Sequence, residues 1–247
     1  MSTRRDRRSR ARSSRGAHAT PGTHATRGTG AAKRPLYRTP AFLAVTVLAA
    51  ALGIVLIVAG RADTTPAPLA SRAPGLRAIG HTLGAEGAPV TVEVWSDYQC
   101  PYCRQFAEGA QRELIRTEVV QGTVRLVHRD FAFLGAESEL AAQAADCAGE
   151  QDRYFDYHDK LFAEQRGENR GTFSKDALKR FATQLGLAPS FNACLDSGRY
   201  AADVKADRAA GSQKGVTATP TIFVNGKKYG GGTPAIAELR RFIDAAR

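Results

Sequence analysis

Val90-Thr-Val-Glu-Val-Trp-Ser-Asp-Tyr-Gln-Cys-Pro-Tyr-Cys103 joins three signals in one short run. Val90 to Trp95 is β-branched and largely apolar, the pattern of a strand buried on both faces. A Cys-x-x-Cys pair follows at once, and Phe106, Leu114 and Ile115 are among the apolar positions of a helix predicted over residues 101–119. Pro101 suits the first helical turn, where a missing N–H costs nothing. A thiolate at a helix N-terminus is stabilised by the free N–H groups and the helix dipole, which draw its pKa below ~8.5. Three-residue spacing places Cys103 one turn on, on the same face and within disulfide reach. Cys100, at the exposed end, is therefore expected to be the attacking thiolate, and Cys103 the group that resolves the mixed disulfide. Half a zinc site and a purely structural disulfide are the competing uses of such a pair. The strand before it and the helix after it favour redox chemistry.

Downstream, Val124-Arg-Leu-Val127 reads as a second strand after a turn at Gly122. Residues 138–214 are helical in character, with breaks near Gly167–Gly171, Gly186–Pro189 and Gly198. Leu178, Phe181 and Leu185 lie there at helical spacing behind Ser174, a candidate cap. Thr221-Ile-Phe-Val224 and Lys227 to Gly230 form a predicted hairpin across Asn225-Gly226. A last helix is predicted from Thr233-Pro234, with proline at its first position, along Ile236, Leu239 and Ile243. The order is β-α-β, a helical block, then β-β-α, which is an α/β fold. Pro220, at the head of a predicted strand, forfeits a ladder hydrogen bond and so calls for a reason.

The other candidate residues are fewer. Cys147 and Cys194 stand in the helical block, 47 residues apart. They are expected to form a structural disulfide between two inserted helices, with two separate buried thiols as the alternative. Loop entropy puts such a bridge at roughly 4 kcal/mol before native strain. The four cysteines, all beyond residue 99, are an even count that suits an oxidising compartment. No metal site is expected: zinc uses of four cysteines show two close pairs, and no histidine is placed as a ligand. His81 lies near the domain edge, His128 at a strand end without an assigned role, and His158 is read as a surface or packing residue. Gly230-Gly-Gly232 is a turn, since it lacks the lysine and helix of a phosphate loop.

The net charge of +11 suggests a nucleic-acid binder until it is located. Residues 1–40 carry 11 Lys/Arg and the single acid Asp6, which leaves 24 basic against 23 acidic side chains in the rest of the chain. The folded part thus has no electrostatic reason to seek phosphate backbones. Residues 1–40 have almost no large apolar side chains and are expected to be a disordered basic cytoplasmic tail. Residues 41–60, AFLAVTVLAAALGIVLIVAG, are uncharged and long enough to span a bilayer as one transmembrane helix. Basic residues before them keep the N-terminus inside, so the chain beyond residue 60 is expected outside the cytoplasm, tethered to the cell membrane by a single pass. A cleaved signal ending near Ala62, which would release the domain, is the alternative, although the apolar run exceeds a signal core. Residues 61–75, with three prolines, read as a tether, and residues 76–247 as one domain.

Ser96-Asp-Tyr-Gln-Cys-Pro-Tyr-Cys103 and Thr217-Ala-Thr-Pro-Thr-Ile-Phe-Val-Asn-Gly226 together resemble the two signatures of the DsbA-like thiol–disulfide oxidoreductases. Ala141 to Phe162 resembles the helical insertion of that family, and the likeness covers roughly residues 80–247. The resemblance implies a thioredoxin-like fold with an inserted helical subdomain at about 138–214, a dithiol active site, and no metal or organic cofactor. It implies that Pro220 is cis and faces the cysteines, with Thr219, Pro220, Pro101 and Tyr102 meeting the substrate. It further implies oxidation of reduced or misoxidised exported proteins through Cys100–Cys103, with reoxidation by a membrane quinone-linked partner. A reductase or isomerase, for instance in cytochrome maturation, and a non-enzymatic thioredoxin-like binding module are the alternatives. One departure stands out. Many relatives carry a buried glutamate six residues before the first cysteine, where this chain has Val94; Glu93, one residue earlier, would face the opposite side of the strand. Asp97 is read as a loop-shaping side chain rather than a base.

Overall fold

Burial of Val90, Val92 and Val94, against half-covered Thr91 and Glu93, sets the strand Val90–Ser96 inside a sheet. The computed structural model describes residue 47, residue 76 and residues 78–246. In chain order the elements are β1 (Ala78–Ile79), β2 (Thr82–Leu83), β3 (Val90–Ser96), α1 (helical over residues 101–119), β4 (Val124–Asp130), α2 (Ala136–Gly149), α3 (Tyr154–Glu164), α4 (Lys175–Gln184), α5 (Ser190–Ser197), α6 (Ala201–Gln213), β5 (Thr221–Val224), β6 (Lys227–Lys228) and α7 (Ile236–Asp244). They belong to the second of two units of the chain, Asp63–Arg247. The strands form a six-stranded sheet in the order β1-β2-β4-β3-β5-β6. β3 and β4 run parallel, joined through α1, and every other neighbouring pair is antiparallel.

One face of the sheet presents Val90, Val92, Val94, Val124, Leu126, Ile222 and Val224 to a core completed by Phe106, Leu114 and Ile115 of α1 and Leu239 and Ile243 of α7. The inserted helices share that core. The small side chains of α2 (Ala141, Ala142, Ala144, Ala145 and Ala148) let the aromatic residues of α3 pack closely against it. The other face carries a smaller cluster of Trp95, Phe131, Val216 and Phe223. α6 approaches this cluster so closely at Gly211 that a Cβ there would lie 2.7 Å from Phe131 and 2.8 Å from the Trp95 ring. Cys147 and Cys194 are bonded to each other, Cα to Cα 5.8 Å, and link α2 to α5.

Several boundaries differ from those read in the sequence. β4 continues past Val127 to Asp130, because His128 and Asp130 prolong its buried face. β6 is confined to two exposed lysines, Lys227 and Lys228. Asn225 and Gly226 take the left-handed conformations, φ 47° and 79°, that a tight hairpin requires. The last helix begins at Ile236, beyond Pro234, since Ala235 is extended and Glu238 accepts a hydrogen bond from the Ala235 N–H. β1 and β2, two residues each, form a hairpin with no counterpart in the sequence reading. β3 is fully buried on one face; on the other Trp95 is buried and Thr91 and Glu93 are largely but not wholly covered. The expected tail (1–40), membrane anchor (41–60) and tether (61–75) lie outside the described residues, residue 47 aside. Among the described residues no helix is long and apolar enough to cross a membrane.

Candidate active site at the end of the sheet

The chain leaves β3 at Ser96 and enters α1 at Pro101, with Cys100 as the extended residue capping the helix, φ −74° and ψ 121°. Its sulfur therefore sits at the helix mouth, where the N–H groups of Tyr102 and Cys103 point at it. Cys103 lies one turn further in and is 1% exposed, whereas Tyr102 between them is 62% exposed. Both thiols are free. The Thr219–Pro220 peptide is cis and stands at the head of β5, where the Cys100 thiol donates to the Thr219 carbonyl at 3.3 Å. The Thr219 hydroxyl, with no other partner, adjoins both sulfurs. Cys100, Cys103, Pro101, Tyr102, Thr219 and Pro220 thus meet at one end of the sheet. Cys147 and Cys194 lie apart from them in the inserted helices.

The two sulfurs differ electrostatically. Hydrogen bonding from the Cys103 thiol, aided by the N–H groups of the helix mouth, draws Cys100 down to about 6. Burial, and then the neighbouring Cys100, push Cys103 well above the usual thiol value. Near neutral pH the outer sulfur favours its anion and the inner one holds its proton. That is the division of labour thiol–disulfide exchange needs.

The loop before α1 is held from the inserted domain. Asp97 accepts hydrogen bonds on one carboxylate oxygen from Gln99 N–H (2.8 Å) and the Ser138 hydroxyl (2.6 Å). On the other it accepts from Phe133 N–H (2.8 Å) and Leu134 N–H (3.0 Å). Gln165, just past α3, donates its side-chain amide to the carbonyls of Tyr98 (2.6 Å) and Cys100 (3.1 Å). Asp97 accordingly shapes the loop. Beside it a groove of about 820 Å³ runs between Pro101, Arg104 and the loop Arg166–Arg170. Glu93 points to the opposite face, where Lys214 and Arg129 engage it, while Val94 lies in the core with Cys103.

A second group of polar residues went unread in the sequence. His128 is buried beside Val94, its partner in the strand register, and its ring stacks on Tyr98 at 5.5 Å. Burial draws its pKa down to about 4. His158, fully buried, stands edge-on to it at 4.9 Å as a packing residue, not a surface one. His81 pairs with Asp146 at 2.5 Å, and burial raises Asp146 to about 6. The one sequence signal for this group was the alternation of β4, which runs on through His128 and Asp130. Donor atoms of His81, Asp130 and Asp207 come within 4.8 Å of one another. Because Asp146 already holds the His81 ring nitrogen, we assign this trio no ligand role.

The family model described as Thioredoxin matches residues 78–245. Among curated proteins, the chain is 36% identical over 154 residues to Na(+)/H(+) antiporter NhaA 3 of Salinispora tropica, a match covering 61% of this chain but 22% of that protein. The chain thus spans about a fifth of the length of the first relatives it matches. It is 30% identical over 149 residues to Disulfide bond formation protein D of Bacillus subtilis, which covers 59% of this chain and 67% of that protein. Among solved structures it is similar to BdbD from Bacillus subtilis in its oxidised form. The TM-score is 0.63 and the identity 27%, with 70% of this chain and 96% of that one covered.

Proposed function

The chain belongs to the thioredoxin family, among its DsbA-like thiol–disulfide oxidoreductases, and from that premise we propose that it oxidises cysteine pairs of exported proteins by exchange through Cys100–Cys103. The observation that carries this reading is the Cys100 sulfur, drawn to about 6 at the mouth of α1 and facing the Thr219–Pro220 peptide. In the oxidised enzyme a substrate thiolate attacks Cys100, and Cys103 departs. A second substrate thiolate then attacks the substrate sulfur bound to Cys100, which leaves as a stabilised thiolate. A thiolate that is content at neutral pH is a good leaving group, and a stabilised reduced form makes the enzyme an oxidant. Thr219, Pro220, Pro101 and Tyr102 form the surface that an extended substrate segment would meet. Reoxidation is assigned to a membrane quinone-linked partner, and the site to the outer side of the cell membrane, with residues 41–60 as its anchor.

The test is the reduction potential of the Cys100–Cys103 couple, read together with thiolate absorbance of Cys100. An oxidase is expected toward about −120 mV, and a value near about −270 mV would instead mark a reductant. Cys100→Ser is expected to abolish oxidation of a reduced model protein. Persistence of that activity in the variant would sink the enzymatic reading.

A further inference from the structure

The groove beside the cysteines takes no part in the exchange of sulfurs, yet it opens onto both chain neighbours of Cys100. Gln99 and Pro101, which flank that cysteine, line it, and so does Gln165, whose amide donates to the Cys100 carbonyl at 3.1 Å. A polypeptide segment lying in the groove touches the residues on either side of the reactive sulfur. Apart from Pro101 and Gly167 the lining is polar or charged, so an apolar segment finds little surface to bury against.

The charge of the lining is uneven. Arg104, Arg166 and Arg170 bring three guanidinium groups, against the single carboxylate of Glu168. Arg104 is the most engaged: its Nε donates to both oxygens of Glu108 at 3.2 Å, and a second nitrogen donates to the Gln165 carbonyl at 3.3 Å. Arg166 meets Glu164 only at 3.9 Å, and its side chain is 70% exposed. Glu108 and Glu164 are not part of the lining. Arg170 is exposed and has no acidic partner among the described residues, and Glu168 has no basic one. A guanidinium presents a planar fork of donors that matches a carboxylate, which makes Arg166 and Arg170 the open positions of the groove.

The backbone that carries these two arginines is fixed in advance. Between them in the chain, Asn169 takes a left-handed conformation, φ 50°, and its N–H donates to the Gln99 side-chain carbonyl at 2.5 Å. Its own amide group donates to the Leu134 carbonyl at 2.7 Å. Just beyond, Glu137 of α2 accepts from the N–H groups of Gly171 (2.7 Å) and Phe173 (2.8 Å). The loop is thereby tied both to the residue before Cys100 and to the inserted helices, so a bound segment has little backbone to order.

We propose that Arg166 and Arg170 select among reduced exported chains, favouring those with an acidic side chain beside the reacting cysteine and receiving its carboxylate in this groove while that cysteine is bonded to Cys100. This rests on the disulfide-exchange reading above and names a substrate class for the same site. Glu168 opposes such a segment and limits the preference.

The experiment uses the full chain, oxidised at Cys100–Cys103, and three reduced peptides, each with one pair of cysteines, whose flanking residues are glutamate, glutamine or lysine. Each oxidation rate is divided by that of the same peptide with hydroxyethyl disulfide, which removes the effect of flanking charge on the peptide thiol itself. The glutamate peptide is expected to lead the glutamine peptide by about three- to tenfold, with lysine behind both, as one or two exposed ion pairs allow. The lead should fade as salt rises from about 0.01 M to about 1 M, where the screening length falls from about 30 Å to about 3 Å. Arg166→Gln with Arg170→Gln should bring the ratio toward one, Arg166→Glu with Arg170→Glu should turn the preference to lysine, and Glu168→Gln should widen the lead of glutamate. All three residues are exposed, so these changes leave the core intact. A parent without preference for glutamate, or a doubly substituted Arg→Gln chain that keeps it, overturns the proposal. If the parent oxidises none of the peptides, the disulfide-exchange reading falls and takes this proposal with it, an outcome distinct from oxidation of all three at equal rates.

Discussion

Cys100 releases its proton in the folded chain well before an unfolded thiol would, and this ties redox state to stability. Its folded value is about 6, below the ~8.5 of a free thiol. Between those values the unfolded chain holds a proton that the folded chain has lost, so stability rises with pH. The contribution is complete above about pH 8.5 and disappears as pH falls through 6. At 1.36 kcal/mol per unit it is on the order of 3 kcal/mol, a part of which belongs to Cys103. Urea unfolding of the reduced protein against its Cys100→Ser variant is expected to show an advantage for the parent at pH 8 that shrinks toward pH 5. A pH-independent difference would mean that the thiolate is not what the helix mouth stabilises.

Among the elements, the loop between β3 and α1 is fastened by Gln165 and, with four hydrogen bonds, by one carboxylate. Asp97 is 1% exposed and receives three backbone N–H groups and the Ser138 hydroxyl, which come from its own loop, from the segment after β4 and from α2. Asp97→Ala leaves those donors buried without an acceptor, a loss of about 3 kcal/mol or more, since hydrogen bonds to charged groups exceed neutral ones. The expected result is a clearly lower urea midpoint together with a slower reaction at Cys100, as the loop no longer fixes the sulfur. A loss under about 1 kcal/mol would place the loop's support elsewhere, for instance at Gln165. This element also marks how far local sequence carries. β3, the cysteine pair and α1 were legible because strand, turn and helix signals are contiguous there, and Asn225-Gly226 was legible because a tight hairpin demands those residue types. Gln165, His128 and Asp130 were not. Each lies against groups 30 or more residues away, and nothing in the chain near them says which element will dock opposite. The hairpin of β1 and β2 escaped for another reason: two-residue strands have no periodicity to read.

Over the whole domain, five helices stand between β4 and β5, and the sheet is completed only after that excursion. The insertion must close back on itself for β5 to reach β3, and the cross-link between Cys147 and Cys194 sits where it does so, joining α2 to α5 across 47 residues. Loop closure of that length removes entropy from the unfolded chain worth about 4 kcal/mol, with strain and residual structure reducing the realised gain to roughly 2–4 kcal/mol. The paired change Cys147→Ser and Cys194→Ser is therefore expected to lower the unfolding free energy, read by urea unfolding, by that amount. The Cys100 thiolate midpoint should stay at about 6, because the bridge touches none of the groups that set it. The two measurements bear on different links. A stability loss without a shift at Cys100 keeps the insertion as a scaffold that holds the active-site loop through Asp97 and Gln165. A shift of the thiolate midpoint by a unit or more would make the bridge part of the redox site itself, coupled to it through α2 and Ser138.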